Sequence, residues 1–110
     1  MVKLTVLYNL PPDMDAEEYV AWRTTTHQEE NASMPGVVKT DFCIAVDEPD
    51  GTLPRYRYIT EVWWETMAEL EKAFYDPEVQ AQLKEDGERF TDRLFLVSEE
   101  IVRTDRELLS

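Results

Sequence analysis

Apolar positions recur along this chain with two periods, every second residue in some blocks and every third or fourth in others. Val2–Tyr8 is rich in β-branched and aromatic residues and predicts a strand that ends at Asn9-Leu10-Pro11-Pro12. Asp13 or Asp15 then offers an N-cap, with Glu17 and Glu18 placed where the helix dipole favours anions. This helix is expected to run to about Asn31, before Met34-Pro35-Gly36 stops it. Val37–Val46 predicts a second strand, closed by the turn signal Asp47-Glu48-Pro49-Asp50-Gly51, and Arg55–Trp64 predicts a third. Thr66 has Glu69 three residues on, the form of a capping box, and Met67, Leu70, Ala73 and Phe74 follow at helical spacing. Asp76-Pro77 restarts helix, because Asp caps and proline is tolerated at the first helical position. That piece carries Val79, Leu83 and Phe90, with a break expected at Gly87. Leu94–Val102 predicts the last strand, ahead of a polar tail.

The order β-α-β-β-α-β is the split βαβ, or ferredoxin-like, arrangement: an α+β subunit with a four-stranded antiparallel sheet and helices on one face. One domain is expected over residues 1–104, followed by the tail 105–110. The third strand carries apolar or aromatic residues at both parities, Tyr56, Tyr58, Val62 and Trp64 on one and Ile59 and Trp63 on the other. Both faces of the sheet are therefore expected to be buried. No residues remain to build a second layer. The cover expected is another copy of the chain, a homodimer whose two sheets pack face to face.

Charge and rare residues narrow the partners. The 110 residues hold 24 acidic and 11 basic side chains, a net charge of −13 that repels nucleic acid and anionic membranes. Arg55-Tyr56-Arg57-Tyr58 alternates basic and aromatic groups as a base-stacking surface would, but against that field no nucleic-acid and no membrane partner is expected. The opening apolar run is too short for a signal peptide and no stretch could span a bilayer. The single cysteine, Cys43, excludes an internal disulfide framework and fits a reducing compartment, so a cytoplasmic location is expected. Its apolar strand context, Asp41-Phe42-Cys43-Ile44-Ala45, predicts an inert core residue rather than a nucleophile. One histidine leaves no His-rich metal site, and the acidic residues match no carboxylate metal motif, so no metal is expected.

On a helical wheel Ala16, Tyr19, Val20, Arg23, His27, Glu30 and Met34 share one side of the first helix. The apolar members mark it as the face toward the sheet. Arg23, His27 and Glu30 interrupt that face, and burial without partners costs about 1–3 kcal/mol or more per group. A wet pocket between helix and sheet is therefore expected. His27 has two readings. It is a core histidine bonded to a backbone carbonyl, with Arg23 reaching Glu30 or solvent; or it is a general acid/base or polarising donor, suited to proton transfer near neutral pH.

Residues 27–36, HQEENASMPG, place a histidine eight positions before Pro35-Gly36, after a helix that starts near Asp15-Ala16-Glu17-Glu18-Tyr19. This spacing resembles the EthD family of dimeric α+β barrel proteins. The opening VKLTVLYNLPPD, the stretch EVWWETMAELEKAFYDPEVQ and the closing strand agree with it, so the resemblance covers about residues 2–102. It implies a ferredoxin-like subunit that dimerises through its sheet, with a ligand pocket between sheet and helices. Family members and near relatives include accessory proteins of xenobiotic degradation, lactone isomerases, polyketide-cyclase-like enzymes and small monooxygenases. They generally work without metal or organic cofactor, so none is implied here. A distant similarity reaches methylmuconolactone methylisomerase, around His27 and at Glu61-Val62-Trp63-Trp64. Val62 stands where that enzyme has the cysteine that works with its histidine, and Glu29 stands where the family has a proline. Of the functional residues, only His27 carries over.

With Val62 facing the pocket, alternation puts Tyr58 and Thr60 there too, and Tyr8 and Phe42 line it by analogous reasoning. The opposite parity, Arg57, Ile59, Glu61 and Trp63, then meets the partner subunit. The expected site has His27 as catalytic group, with Arg23, Tyr19, Tyr8, Phe42, Tyr58, Thr60 and Val62 around a small hydrophobic or aromatic ligand. The implied function is a cofactor-independent isomerase, cyclase or lyase acting on a small aromatic or lactone-like compound. His27 would move a proton, Arg23 would hold or polarise an oxygen, and Tyr58 would donate a hydrogen bond. The alternatives are a non-catalytic binding protein of a degradation pathway, a small monooxygenase, and a haem protein with His27 as axial ligand.

Overall fold

Strand β1 (Val2–Tyr8) spans the expected residues and occupies the inside of the sheet, because its apolar positions can be covered by neighbours on both edges. The computed structural model describes residues 1–87, 90 and 92–109. After β1 come α1 (Ala16–Thr24), α2 (Thr26–Ala32), β2 (Lys39–Ile44), β3 (Tyr58–Trp64), α3 (Met67–Phe74), α4 (Pro77–Gly87) and β4 (Arg93–Glu99). The strand order is β2-β3-β1-β4 with every pairing antiparallel, which is the ferredoxin-like sheet. A short 3-10 turn, Arg106–Leu109, lies in the polar tail; Ser110 is outside the described residues.

The outer strands are shorter than their apolar runs. All seven residues of β1 pair with Tyr58–Trp64 on one side and Arg93–Glu99 on the other. A ladder extends only as far as its partner, so Ile101 and Val102, beyond the pairing, stand exposed. Register sets the faces. Tyr8↔Tyr58, Leu4↔Val62 and Val2↔Trp64 point to the helices, while Lys3↔Trp63, Thr5↔Glu61 and Leu7↔Ile59 point away.

The core forms where α3 lies on β1 and β3. Leu70, Ala73 and Phe74 bury against Val2, Leu4, Val62 and Trp64. Helix α3 starts at Thr66 because its Oγ1 accepts the Glu69 N–H at 3.2 Å, and α4 starts where Asp76 Oδ2 accepts from Glu78 and Val79. Trp64 Nε1 donates to the Pro35 carbonyl at 2.9 Å, pinning the end of the first helical segment to the sheet. The turn there needs Gly36, whose φ is 78°, and a side chain at that position would press on Glu69 and Trp64.

Two sequence expectations are corrected. The first helix is not continuous to Asn31 but breaks at Thr25, whose φ and ψ are −117° and −85°. Thr24, Thr25 and Thr26 are β-branched, and the first two turn their hydroxyls back onto the carbonyls of Val20 and Ala21 at 2.8 and 2.7 Å. Such back-bonding bends helices. Ala16, placed on the buried stripe by the wheel, is exposed at the start of α1. The second correction is Cys43. It is exposed, because its parity, opposite Ile59, sets it on the sheet face away from the helices. That face is open within the chain: Leu94 and Leu96 are 40% and 48% exposed, and the Lys3 and Lys39 ammoniums lie over the Trp63 ring. Among the described residues no helix is long and apolar enough to cross a membrane.

Candidate functional site

The break at Thr25 builds the site. Residues five apart in an unbroken helix stand about 140° apart around its axis and cannot touch. Across the break, Trp22 and His27 stack with ring centroids 4.6 Å apart and planes 19° from parallel. The same geometry lets Arg23 Nη1 donate to Gln28 Oε1 at 2.7 Å.

Within α2, His27 Nδ1 lies 3.2 Å from Glu30 Oε2, an i,i+3 pair. A carboxylate only accepts, so Nδ1 carries the hydrogen and Nε2 keeps its lone pair. Burial pushes the His27 pKa below its ordinary 6.5, and the Arg23 charge adds to the effect. The Glu30 hydrogen bond and charge, with a smaller contribution from Asp86, oppose it. The imidazole is thus neutral at pH 7 and presents a basic Nε2, the form a general base requires.

Next to this pair a cavity of about 230 Å³ opens between the sheet, α1–α2 and α4. Its floor is Leu4, Val6, Thr60 and Val62, and apolar groups of α3, α4 and β4 close the far side, among them Phe74, Leu83 and Phe95. The polar groups that reach it are His27, Glu30, Asn31, Tyr8, Tyr19, Thr60, Gln82, Asp86 and Arg93. A hollow whose exposed lining is mostly apolar and whose rim carries polar side chains suits a small organic ligand. Its volume lies below the roughly 300–1,000 Å³ of drug-sized sites, which points to one ring or a short chain.

Tyr19 and Tyr8 share a hydrogen bond between their hydroxyls. Burial and that bond push the Tyr19 phenol far above its ordinary range, so it stays protonated and can donate. Arg93 Nη2 donates to the Leu83 carbonyl at 3.0 Å, and burial makes its guanidinium less basic than usual. Gln82 donates to Asp86 at 3.1 Å. Among the described residues no three His, Cys, Asp or Glu side chains gather as a metal site would need.

Of the residues singled out from sequence, His27, Tyr8, Tyr19, Thr60 and Val62 border the cavity. Arg23, Tyr58 and Phe42 do not; they form a layer behind it. Arg23 is fully buried, with its guanidinium 4.6 Å above the Phe42 ring and Nη2 donating to Thr60 Oγ1 at 3.0 Å. It reaches neither Glu30 nor solvent. Tyr58 stacks between Tyr8 and Phe42, and its burial follows from the strand parity. Among the residues not anticipated are Trp22, Gln82, Asp86 and Arg93. Trp22 was hidden by the assumption of a straight helix. The other three come from α4 and β4, and no spacing in the sequence shows how α4 lies over the sheet.

Comparison with known proteins places this geometry. The family model described as the EthD domain matches residues 11–94. An EthD-family structure from Bacillus halodurans shares 22% identity with a TM-score of 0.73, covering 92% of this chain and 99% of its own. Hydroxynitrile lyase from Passiflora edulis shares 14% identity with a TM-score of 0.66, over 94% and 96% of the two chains. A dimeric ferredoxin-like protein from Thermobifida fusca shares 13% identity with a TM-score of 0.67, over 90% of each chain. At these identities the likeness is one of fold. No curated protein sequence matches the chain significantly.

Proposed function

This chain belongs to the EthD family, and on that premise we propose that it binds a small, single-ring or short-chain organic compound and moves a proton on it. His27 acts as the acid/base group without a cofactor, in a reaction of the isomerase, cyclase or lyase kind. The observation that carries this reading is the His27–Glu30 pair on a largely apolar cavity, with Nδ1 held and Nε2 without a hydrogen-bond partner among the described residues. A histidine kept only for packing would spend its nitrogens on the backbone; this one does not.

Trp22 lies against His27 at the cavity, so ligand entry should be visible in tryptophan fluorescence. Titration with phenol, benzoate, mandelonitrile and a five-membered lactone is expected to give saturable quenching with at least one of them. The Trp22→Phe variant should lose that signal and Trp63→Phe, altered on the opposite sheet face, should keep it. No saturable response to any of the four would count against the reading.

The open sheet face supports a second copy of the chain as its cover, as in the dimeric relative. Sedimentation equilibrium is expected to give the mass of a dimer for the wild type and of a monomer for Leu96→Glu. A monomeric wild type would contradict this.

A further inference from the structure

Arg23 is wholly buried, yet among the described residues its hydrogen bonds go only to neutral groups, Gln28 Oε1 and Thr60 Oγ1, and its Nε has no partner. Buried charges are ordinarily paired, because leaving water is costly for an ion. Among the described residues no carboxylate is hydrogen-bonded to it.

The hydroxyl next to it borders the cavity. Thr60 has one proton and two lone pairs, and Arg23 Nη2 occupies a lone pair. The Thr60 proton therefore has no acceptor among the described residues, and Thr60 lines the hollow. Tyr8 and Tyr19 also line it. Their two hydroxyls make one hydrogen bond between them, which leaves one phenol proton unspent. Two hydroxyl donors thus border the cavity with protons to give, and one has a full positive charge directly behind it.

We propose that Thr60 and the Tyr8–Tyr19 pair form an oxyanion pocket, with Arg23 as the positioning charge behind it. The ligand class this selects is a neutral phenol or enolisable carbonyl compound whose oxygen becomes anionic in the site. The inference rests on the reading of the cavity as a small-molecule site with His27 as base. In the step, the ligand's O–H bond breaks, its electron pair stays on oxygen, and the proton goes to His27 Nε2. For a carbonyl compound the α C–H breaks instead; its pair forms the C=C bond while the C=O pair moves to oxygen. Glu30 and Asp86 also border the cavity and repel a ligand that arrives charged, so the anion forms after entry. Preorganised donors aimed at a developing oxyanion stabilise it without reorganisation at the moment of reaction.

The probe is 4-nitrophenol, whose phenolate absorbs in the visible, titrated over pH with the full-length protein in excess. Bound to the wild type it is expected to ionise about tenfold or more readily than free in solution. Thr60→Val should abolish most of that gain and Thr60→Ser should keep it. Tyr19→Phe, which leaves the Arg23 acceptor in place, should remove part of the gain and serves if Thr60→Val fails to fold. Binding of the neutral phenol with unchanged or suppressed ionisation overturns the oxyanion pocket alone. Equal ionisation in wild type and both hydroxyl variants does the same. If the probe binds in neither form, the pocket and the cavity reading beneath it both fall.

Discussion

Replacing His27 by glutamine is expected to lower turnover of the chain's substrate by about 10²–10⁴-fold, the usual contribution of a positioned acid or base. Ligand affinity should stay within a few-fold, because the carboxamide keeps hydrogen-bonding capacity near Glu30 and still lies against Trp22. The pH profile carries the same signature. Burial holds the His27 pKa below 6.5, so the neutral, basic form persists as pH falls from 8 to 6.5. The acid limb of the activity profile should therefore have its midpoint below the 6.5 of an ordinary imidazole. The sign for stability follows: in acid the unfolded chain takes up the His27 proton first, so folding weakens as pH drops below about 6.5 and that loss ends below the folded value. Steady-state kinetics between pH 5 and 8, alongside chemical denaturation over the same range, checks both. Wild-type turnover in His27→Gln would remove the acid/base role from His27.

Trp64→Ala is expected to be the most destabilising single change in the core. Trp64 is fully buried, packs with the Val2, Leu4, Val62 and Leu70 cluster, and bonds the Pro35 carbonyl. Truncating such a ring costs about 3–5 kcal/mol, and the abandoned carbonyl adds roughly 1 kcal/mol. A domain of this size holds about 5–15 kcal/mol in total. Thermal denaturation followed by circular dichroism should therefore show the midpoint falling by roughly 15–30 °C, or no cooperative transition at all. The site should suffer with the fold, since Trp64 ties the segment that follows α2 to the sheet. Trp64→Phe, which keeps an aromatic ring but loses the N–H and part of the buried indole, should cost less than the alanine variant, about 1–3 kcal/mol. A loss under 1 kcal/mol in the alanine variant would mean that the core does not centre on β3.

What could be read from the residues alone was whatever depends on near neighbours. β1 and the caps at Thr66 and Asp76 rest on spacing within one element, as does the first cap, left between Asp13 and Asp15 and found at Asp15; the inward side of Tyr58, Thr60, Val62 and Trp64 needed alternation together with the position of Val62 in the resemblance. The ferredoxin-like order followed from those elements taken in sequence, while the EthD family was reached through a resemblance of short motifs, HQEENASMPG at residues 27–36 foremost. The break at Thr25 had a local sign, three consecutive threonines, but period alone runs straight through it, and with it went the Trp22–His27 stack. Arg23 was placed correctly on the buried side, yet which partner it would choose depended on β3, 37 residues away. Gln82, Asp86 and Arg93 reach the cavity because α4 packs across the sheet, a tertiary fact with no period of its own. Cys43 was misjudged for a different reason: its neighbours are apolar, and on an edge strand the apolar context does not reveal which side meets the helices.

A single histidine makes the central claim directly measurable, because the chain has one imidazole to resolve. Nitrogen-detected magnetic resonance of the ring, titrated from pH 4 to 8 with and without a bound phenol, reports its tautomer and its ionisation. The account predicts a neutral ring protonated on Nδ1, a pKa below 6.5, and Nε2 as the nitrogen whose signal moves on ligand addition. An Nε2-protonated ring, or a pKa at or above 6.5 that no ligand perturbs, would contradict it.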